Sequence, residues 1–134
     1  MSGSRKYLAA FLLMAIASAW NLTIVGSVAL NQDWVKKWAA GGQFDIFPAW
    51  LRAVYLVIAA LMILQCWFAY KLMKHQGAWS RLTRRLTTLL MISSLISAVV
   101  NAISRSSHER VNTLFALAMA WGYMIFRSSK KVDQ

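Results

Sequence analysis

Acidic residues are scarce in this chain of 134 residues, which has four of them against fifteen lysines and arginines. Charged side chains of either sign are absent from the interior of four long apolar stretches, the first of which runs from Tyr7 to Leu30. Proton-coupled transporters and pumps usually need a titratable side chain near the middle of the membrane, because that group relays the proton. The sequence therefore argues against a proton-relay mechanism.

Groups that bind metals or form disulfides are equally few. Cys66 is the single cysteine, so the chain can form neither an internal disulfide nor a dithiol pair, and we interpret it as an inert packed thiol. His75 and His108 fall on opposite sides of the membrane in the topology predicted below, so one protomer cannot bring both to a single metal or haem iron, and neither belongs to a metal-ligand spacing. We therefore predict no catalytic residue, no metal and no cofactor, and a protein that is not an enzyme. A haem shared between two protomers stays open as an alternative.

The chain is too apolar for a soluble domain of this size. Its residues are 59% hydrophobic and 14% charged, whereas a soluble helix bundle needs a polar outer face on every helix. Although the net charge is +11, the basic residues lie in the gaps between the apolar stretches, so we predict no nucleic-acid partner. Long uncharged apolar runs indicate transmembrane helices. We predict an all-α fold, a four-helix transmembrane bundle that forms a single domain over residues 1–134.

The four predicted spans follow the apolar stretches and lie at residues 7–30, 50–70, 86–103 and 108–126. The first span has a competing interpretation. Arg5 and Lys6, the apolar run after them and the sequence Ala17-Ser18-Ala19 are also typical of a cleaved signal peptide. Because the apolar run continues past Ala19 to Leu30, we favour an uncleaved span.

The basic residues predict which way the bundle faces. If both termini lie on one side, that side carries ten basic residues and the other carries five. The first group is Arg5, Lys6, Lys71, Lys74, Arg81, Arg84, Arg85, Arg127, Lys130 and Lys131, and the second is Lys36, Lys37, Arg52, Arg105 and Arg110. The positive-inside rule then predicts that both termini are cytoplasmic, with Asp33, Asp45 and Glu109 outside. We predict a multi-pass protein of a plasma (inner) membrane.

The connection between the second and third spans carries five basic residues and no acid. They are Lys71, Lys74, Arg81, Arg84 and Arg85. Attraction to the anionic headgroups of the bilayer, about 1 kcal/mol per basic residue, explains them without a specific partner. Specific phospholipid binding is the alternative.

The longest connection, residues 31–47, contains Trp34 and Trp38, which share a face if the segment is an α-helix. We interpret it as an interfacial amphipathic turn with its tryptophans at the level of the headgroups. The alternative is an aromatic lid over a site.

Polar side chains recur at steps of three and four along the third span and beyond it. They are Ser94, Ser97, Asn101, Ser104 and His108. This spacing predicts one helical face, and because lipid offers such groups no partner, the face should meet other helices. We predict a hydrogen bond between this face and Asn21.

Two interpretations of the polar face remain open. One is contact between helices alone, each hydrogen bond contributing roughly 0.6–2 kcal/mol. The other is a small polar pocket open to the outside, with Arg52, Arg105 and His108 at its mouth. The candidate pocket residues are Asn21, Arg52, Ser97, Asn101, Arg105, His108 and Glu109.

Small residues at four-residue spacing allow close helix packing, either within the chain or against a second protein. They are Ser94, Ala98 and Ala102 on the third span, and Ala116, Ala118, Ala120 and Gly122 on the fourth. The leading hypothesis is a non-enzymatic accessory or assembly subunit, or a self-associating bundle, that binds another membrane protein or a second copy through these faces. The alternative is an outward-facing binding or transport protein for a small polar molecule or a lipid headgroup.

The short polar connection before the fourth span contains Ser106 and Glu109 at the spacing of a capping box, which predicts the start of a helix. The segment resembles a stretch in small uncharacterised four-span bacterial membrane proteins, over less than a quarter of the chain. The residues that carry the resemblance are Asn101, Ser104, Arg105, Ser106, Glu109 and Arg110. It implies a four-span architecture and a bacterial inner membrane, and it brings no activity.

Overall fold

The computed structural model describes residues 3–129, and over this range the chain is all-helical, as predicted. Its long helices are α1 (Gly3–Ala29), α2 (Ala49–Lys74), α3 (Arg81–Ala102) and α4 (Ser107–Arg127). Two short 3-10 segments, Asp33–Lys37 and Ala40–Gly42, lie in the loop between α1 and α2. The last residues of the chain, with Lys130 and Lys131, lie outside this range.

Three of the helices, α1, α2 and α3, are long and apolar enough to cross a membrane, which indicates a multi-pass membrane protein. Over the described residues, α4 is not among the helices that meet this criterion. Its apolar run is bounded by Arg110 and Arg127 and is interrupted by Asn112. The prediction of four apolar spans is therefore supported for three of them.

The two inner helices are α1 and α4, which run antiparallel. The rings of Tyr7 and Phe126 stack at 5.8 Å near one end, and Trp20 Nε1 donates a hydrogen bond to Asn112 Oδ1 at 2.9 Å near the other. The two outer helices each pack on an inner one, α2 on α1 and α3 on α4. We call the end at which α1 and α3 begin the basic end, and the opposite end, with residues 30–48, the loop end.

Gly122 lets the two inner helices approach each other closely. A Cβ built at this position would lie 2.2 Å from Sδ of Met14, and Met14 is itself only 1% exposed. Because the interior is densely packed, a side chain at Gly122 has no space unless Met14 is displaced or the helices separate. Tyr123 and Phe126, which are fully buried, continue the same core towards the basic end.

The helix boundaries extend beyond the predicted spans at the basic end. α2 continues to Lys74 rather than ending at residue 70, and α3 begins at Arg81 rather than at 86. Ser80 starts α3, because its Oγ accepts a hydrogen bond from Thr83 N at 3.1 Å. The predicted spans stop where the charged residues begin, because they were drawn from hydropathy. The helices are longer because their backbone hydrogen bonds continue through those charged residues.

The turn between α2 and α3 packs against the C-terminal end of α4. Gly77 has a φ of +117°, and a Cβ there would lie 2.2 Å from Cβ of Ser129, so this position requires glycine. Ala78 N donates to Phe126 O at 3.0 Å, and Ser129 Oγ donates to Ala78 O at 3.2 Å. These contacts hold the start of α3 next to the end of α4.

Candidate functional site: a polar cavity between the helices

A cavity of about 330 Å³ lies between the four helices, over the α1/α4 pair and flanked by α2 and α3. Its polar lining is Asn21, Tyr55, Gln65, Ser93, Ser94, Ser97, Asn101, Glu109 and Asn112. Since α2 packs on α1 and α3 packs on α4, without extensive contact between α2 and α3, the cavity is open where these two outer helices face each other. Trp38 and Ala39 line it at the loop end.

The polar face of α3 borders this cavity. Its members there are Ser93, Ser94, Ser97 and Asn101. Ser104 and His108, which were predicted to continue the face, do not line the cavity. The reason is local: α3 ends at Ala102 and α4 begins at Ser107, so the helical spacing is broken between them.

The hydrogen bonds of this polar face stay within α3. Ser94 Oγ donates to Leu90 O at 2.8 Å, and Asn101 Nδ2 donates to Ser97 Oγ at 3.5 Å. Within residues 3–129 none of its side chains bonds another helix, and the predicted bond to Asn21 is wrong, because the cavity separates Asn21 from α3. The polar side chains of α3 therefore border the cavity and do not join α3 to a neighbouring helix.

Among residues 3–129, Glu109 is the one charged side chain that lines the cavity. Ser106 Oγ accepts a hydrogen bond from Glu109 N at 3.4 Å and so caps α4 as predicted. The second half of the capping box is absent, because Ser106 N donates to Ser104 Oγ at 3.2 Å instead. Glu109 Oε2 accepts hydrogen bonds from Gly41 N, at 2.9 Å, and from Ser104 Oγ. The carboxylate thus faces the cavity and also holds the loop.

Asn112 is a second anchor for the loop, and it was missed in the sequence. It is buried one helical turn beyond Glu109, and its Oδ1 accepts the bond from Trp20 described above. Its Nδ2 donates to Trp38 O at 3.3 Å, so a single amide joins α1, α4 and the loop. The signal in the sequence was an asparagine at the start of the apolar stretch between Arg110 and Arg127, where a buried amide needs a hydrogen-bond partner.

Trp38 covers the loop end of the cavity. Its ring lies 5.2 Å from that of Trp20 and 5.1 Å from the imidazole of His108, both in edge-on geometry. Trp34, in contrast, is 46% exposed. The two tryptophans do not share a face because the segment is a 3-10 helix, in which residues four apart point in different directions.

The three side chains predicted at the mouth of the pocket do not line the cavity. Arg52 Nε donates to Ala29 O at 2.8 Å and so binds the C-terminal end of α1. His108 packs on Trp38, and Arg105 is exposed. In the described part of the chain Arg105 forms no ion pair with Glu109, and Asp45 forms none with Arg52.

The loop also contains an ion pair between the half-buried Lys36 Nζ and the exposed Asp33 Oδ1, at 2.6 Å. The hydrogen bond from Lys36, together with its charge, lowers the pKa of the Asp33 carboxyl. This pair lies away from the cavity lining.

Most of the predicted small-residue faces are used inside the chain. Ala98, Ala116 and Ala120 are 4–5% exposed, and Gly122 is buried against Met14. Ala102 is exposed. These positions therefore serve mainly the packing of α4 on α1 and α3.

Within residues 3–129 no group of three or more His, Cys, Asp or Glu side chains is placed to hold a metal ion. Comparison with known proteins returns no matching family model, no matching curated protein and no matching solved structure. The function must therefore be argued from the cavity itself.

Proposed function

We propose that the chain is a four-span protein of a bacterial inner membrane, with both termini in the cytoplasm. The support is that α4 lies beside α1 from Tyr7 to Trp20, so it shares the depth of a helix apolar enough to cross a membrane. With 21 residues, α4 is about 32 Å long, which is sufficient for a hydrocarbon layer of about 30 Å. Its polar Asn112 is tolerated because it is bonded inside the bundle.

Reporter proteins fused after Gln134 test this topology. A fluorescent protein that folds only in the cytoplasm should be bright, and alkaline phosphatase, which is active only outside, should be silent. A three-span chain with α4 on the membrane surface would give the opposite pattern.

We infer further that the cavity binds a small polar molecule or the polar head of an amphiphile. The observation that carries this proposal is that the polar face of α3 borders a cavity and makes no hydrogen bond to another helix. Ser94 and Asn101 are bonded within α3, and the donor and acceptor sites that these bonds leave open meet the cavity rather than a second helix. Lipid cannot satisfy such sites, whereas a polar molecule bound in the cavity would.

The charge and the opening of the cavity narrow the class of ligand. Within the described part of the chain Glu109 is the single charged residue of the lining, although the net charge of the chain is +11, so the cavity suits a neutral or cationic group. Its volume of about 330 Å³ is at the lower end of the range of ligand pockets. Because the opening lies between two membrane-spanning helices, the ligand would enter sideways from the bilayer. An amphiphile with a small neutral or ammonium head fits these conditions.

A pair of matched amphiphiles tests the ligand class. The full chain in a neutral detergent is titrated with a single-chain amine and with an alcohol of equal chain length, and thermal unfolding is measured. We expect both to raise the unfolding midpoint and the amine to do so more strongly. Glu109→Gln should remove the advantage of the amine, while the amide oxygen still accepts the bonds that hold the loop. An unchanged preference in this variant would contradict the proposed role of Glu109.

A steric variant tests the site itself. Ser97→Phe places a large ring in the cavity, whereas Ile96→Phe adds one to the neighbouring residue, which is 59% exposed and outside the lining. We expect only Ser97→Phe to abolish the stabilisation. Equal behaviour of the two variants would contradict binding in the cavity.

An accessory or self-associating subunit is the second candidate. In its favour, α2 has little of its apolar surface covered within the chain and packs mainly on α1, so lipid or a second protein must cover the rest. Chemical cross-linking in the native membrane tests this proposal, with a partner at fixed stoichiometry as the expected result.

A further inference from the structure

We propose that Arg81, Arg84, Arg85 and Arg127 form a binding site for the phosphate groups of an anionic phospholipid. They line a shallow depression of about 640 Å³ at the basic end, together with Thr88 and Leu89. No residue of this depression lines the polar cavity, so the proposal is independent of the function argued above.

The arginines of α3 share one helical face. Arg81, Arg84 and Arg85 are followed at the same spacing by Thr88 and Leu89, so the face changes from charged to apolar along the helix. Leu89 is 62% exposed. Guanidinium groups at the start of a membrane helix and an exposed leucine farther along match a lipid, whose phosphate lies at the surface and whose chains lie deeper.

Arg127 comes from α4 and is held in place by the fold. Arg84 Nη2 donates to Arg127 O at 3.2 Å, and the Gly77–Ala78 turn is bonded to the end of α4. These contacts hold the α4 backbone at Arg127 next to the start of α3, so the four arginines lie around one depression.

Within residues 3–129 the basic end carries no acidic side chain that could neutralise the four arginines. The three acids within residues 3–129 are Asp33, Asp45 and Glu109, and all belong to the loop end. The fourth acid of the sequence, Asp133, lies beyond the described residues. A guanidinium binds phosphate oxygens through two parallel hydrogen bonds, and basic pockets between membrane helices bind phospholipid headgroups. Four guanidinium groups favour a headgroup with two phosphates over a headgroup with one.

Lys71 and Lys74 were predicted as lipid contacts together with these arginines, but they do not line the depression. Their ammonium groups lie over the rings of Trp67 and Tyr70, at 5.3 and 5.5 Å from the ring centroids. They therefore provide a control that removes equal charge from the same end of the bundle.

The test measures lipid binding to the full chain in a neutral detergent, which removes the surface potential of a bilayer. The probes are cardiolipin, phosphatidylglycerol and phosphatidylcholine, with inorganic phosphate and pyrophosphate as soluble anions. We expect cardiolipin to bind most tightly and phosphatidylcholine not to compete. The variant Arg85→Gln/Arg127→Gln should weaken cardiolipin binding by about tenfold or more, and Lys71→Gln/Lys74→Gln by less than about threefold.

Each of the other outcomes would overturn the proposal. Equal losses in the two variants would mean general attraction to basic residues, and displacement of cardiolipin by millimolar pyrophosphate would mean a site for soluble anions. Arg85 and Arg127 are exposed, so both variants should unfold at the wild-type temperature without lipid. If the arginine variant does not fold, Arg85→Lys/Arg127→Lys replaces it, because lysine keeps the charge but cannot form the paired hydrogen bonds. A preference for cardiolipin equal to that of the wild-type chain in this lysine variant would also contradict the proposed site.

Discussion

Replacing Asn112 by leucine should destabilise the bundle more than the same change at any other asparagine that lines the cavity. Asn112 is buried and forms hydrogen bonds with Trp20 Nε1 at 2.9 Å and with Trp38 O at 3.3 Å. Leucine has a similar volume, so packing changes little, but the indole N–H and the carbonyl lose their partner. Hydrogen bonds inside membrane bundles contribute roughly 0.6–2 kcal/mol each, and a buried group left unpaired costs about 1–3 kcal/mol. We expect a loss of about 1–3 kcal/mol in the free energy of unfolding.

Asn101 and Asn21 provide matched controls. Asn101 bonds only Ser97 in its own helix, at 3.5 Å, and Asn21 faces the cavity without a bond to the polar face of α3. We expect Asn101→Leu and Asn21→Leu each to change the free energy of unfolding by less than about 0.5 kcal/mol, as is usual away from bonded or packed sites.

The assay is reversible unfolding of each variant in mixed micelles of a neutral detergent and dodecyl sulfate, followed by tryptophan fluorescence. Limited proteolysis of residues 33–47 gives an independent measurement, because Asn112 holds this loop through Trp38 O. Asn112→Leu should therefore also speed cleavage of the loop. Equal losses in all three variants, or a loss only for Asn21→Leu, would refute the argument, since it attributes stability to bonds that cross between elements.

Two further perturbations follow from the structure. Gly122→Leu should prevent α1 and α4 from packing and lower the yield of folded protein sharply. Gly26→Leu is the control and should fold normally, because an added Cβ at Gly26 meets nothing within 4 Å. Equal yields of the two variants would contradict the close approach of Gly122 to Met14. Because the folded-state pKa of Asp33 is lowered, its contact with Lys36 is present above the unfolded pKa and is lost as pH falls through the lowered value. Lys36→Met should therefore raise the pKa of Asp33 in an NMR titration, while the unfolding midpoint stays unchanged because the Asp33 carboxylate is exposed to water.

The helical class and the polar face of α3 could be predicted because both are periodic. Apolar runs reveal membrane helices, and steps of three and four bring Ser94, Ser97 and Asn101 to one face. The sequence could not show whether that face meets a helix or a cavity, because this depends on how far α2 and α3 lie from each other.

The failed site assignments have a common physical cause. Position along a span gives the depth of a residue but not its direction around the helix. Arg52 was therefore predicted at the mouth of the pocket, whereas its guanidinium donates a hydrogen bond to Ala29 O on α1. Asn112 was missed for the opposite reason: its partners are a tryptophan and a loop carbonyl distant in sequence, and no local pattern connects them.

Native mass spectrometry of the protein extracted gently from its own membrane tests the central claim, that the polar cavity binds a ligand, most directly. We expect the wild-type chain to carry one small neutral or cationic molecule, Ile96→Phe to retain it and Ser97→Phe to lose it. The same bound molecule in Ser97→Phe, or a second polypeptide at fixed stoichiometry with no small molecule, would contradict the claim.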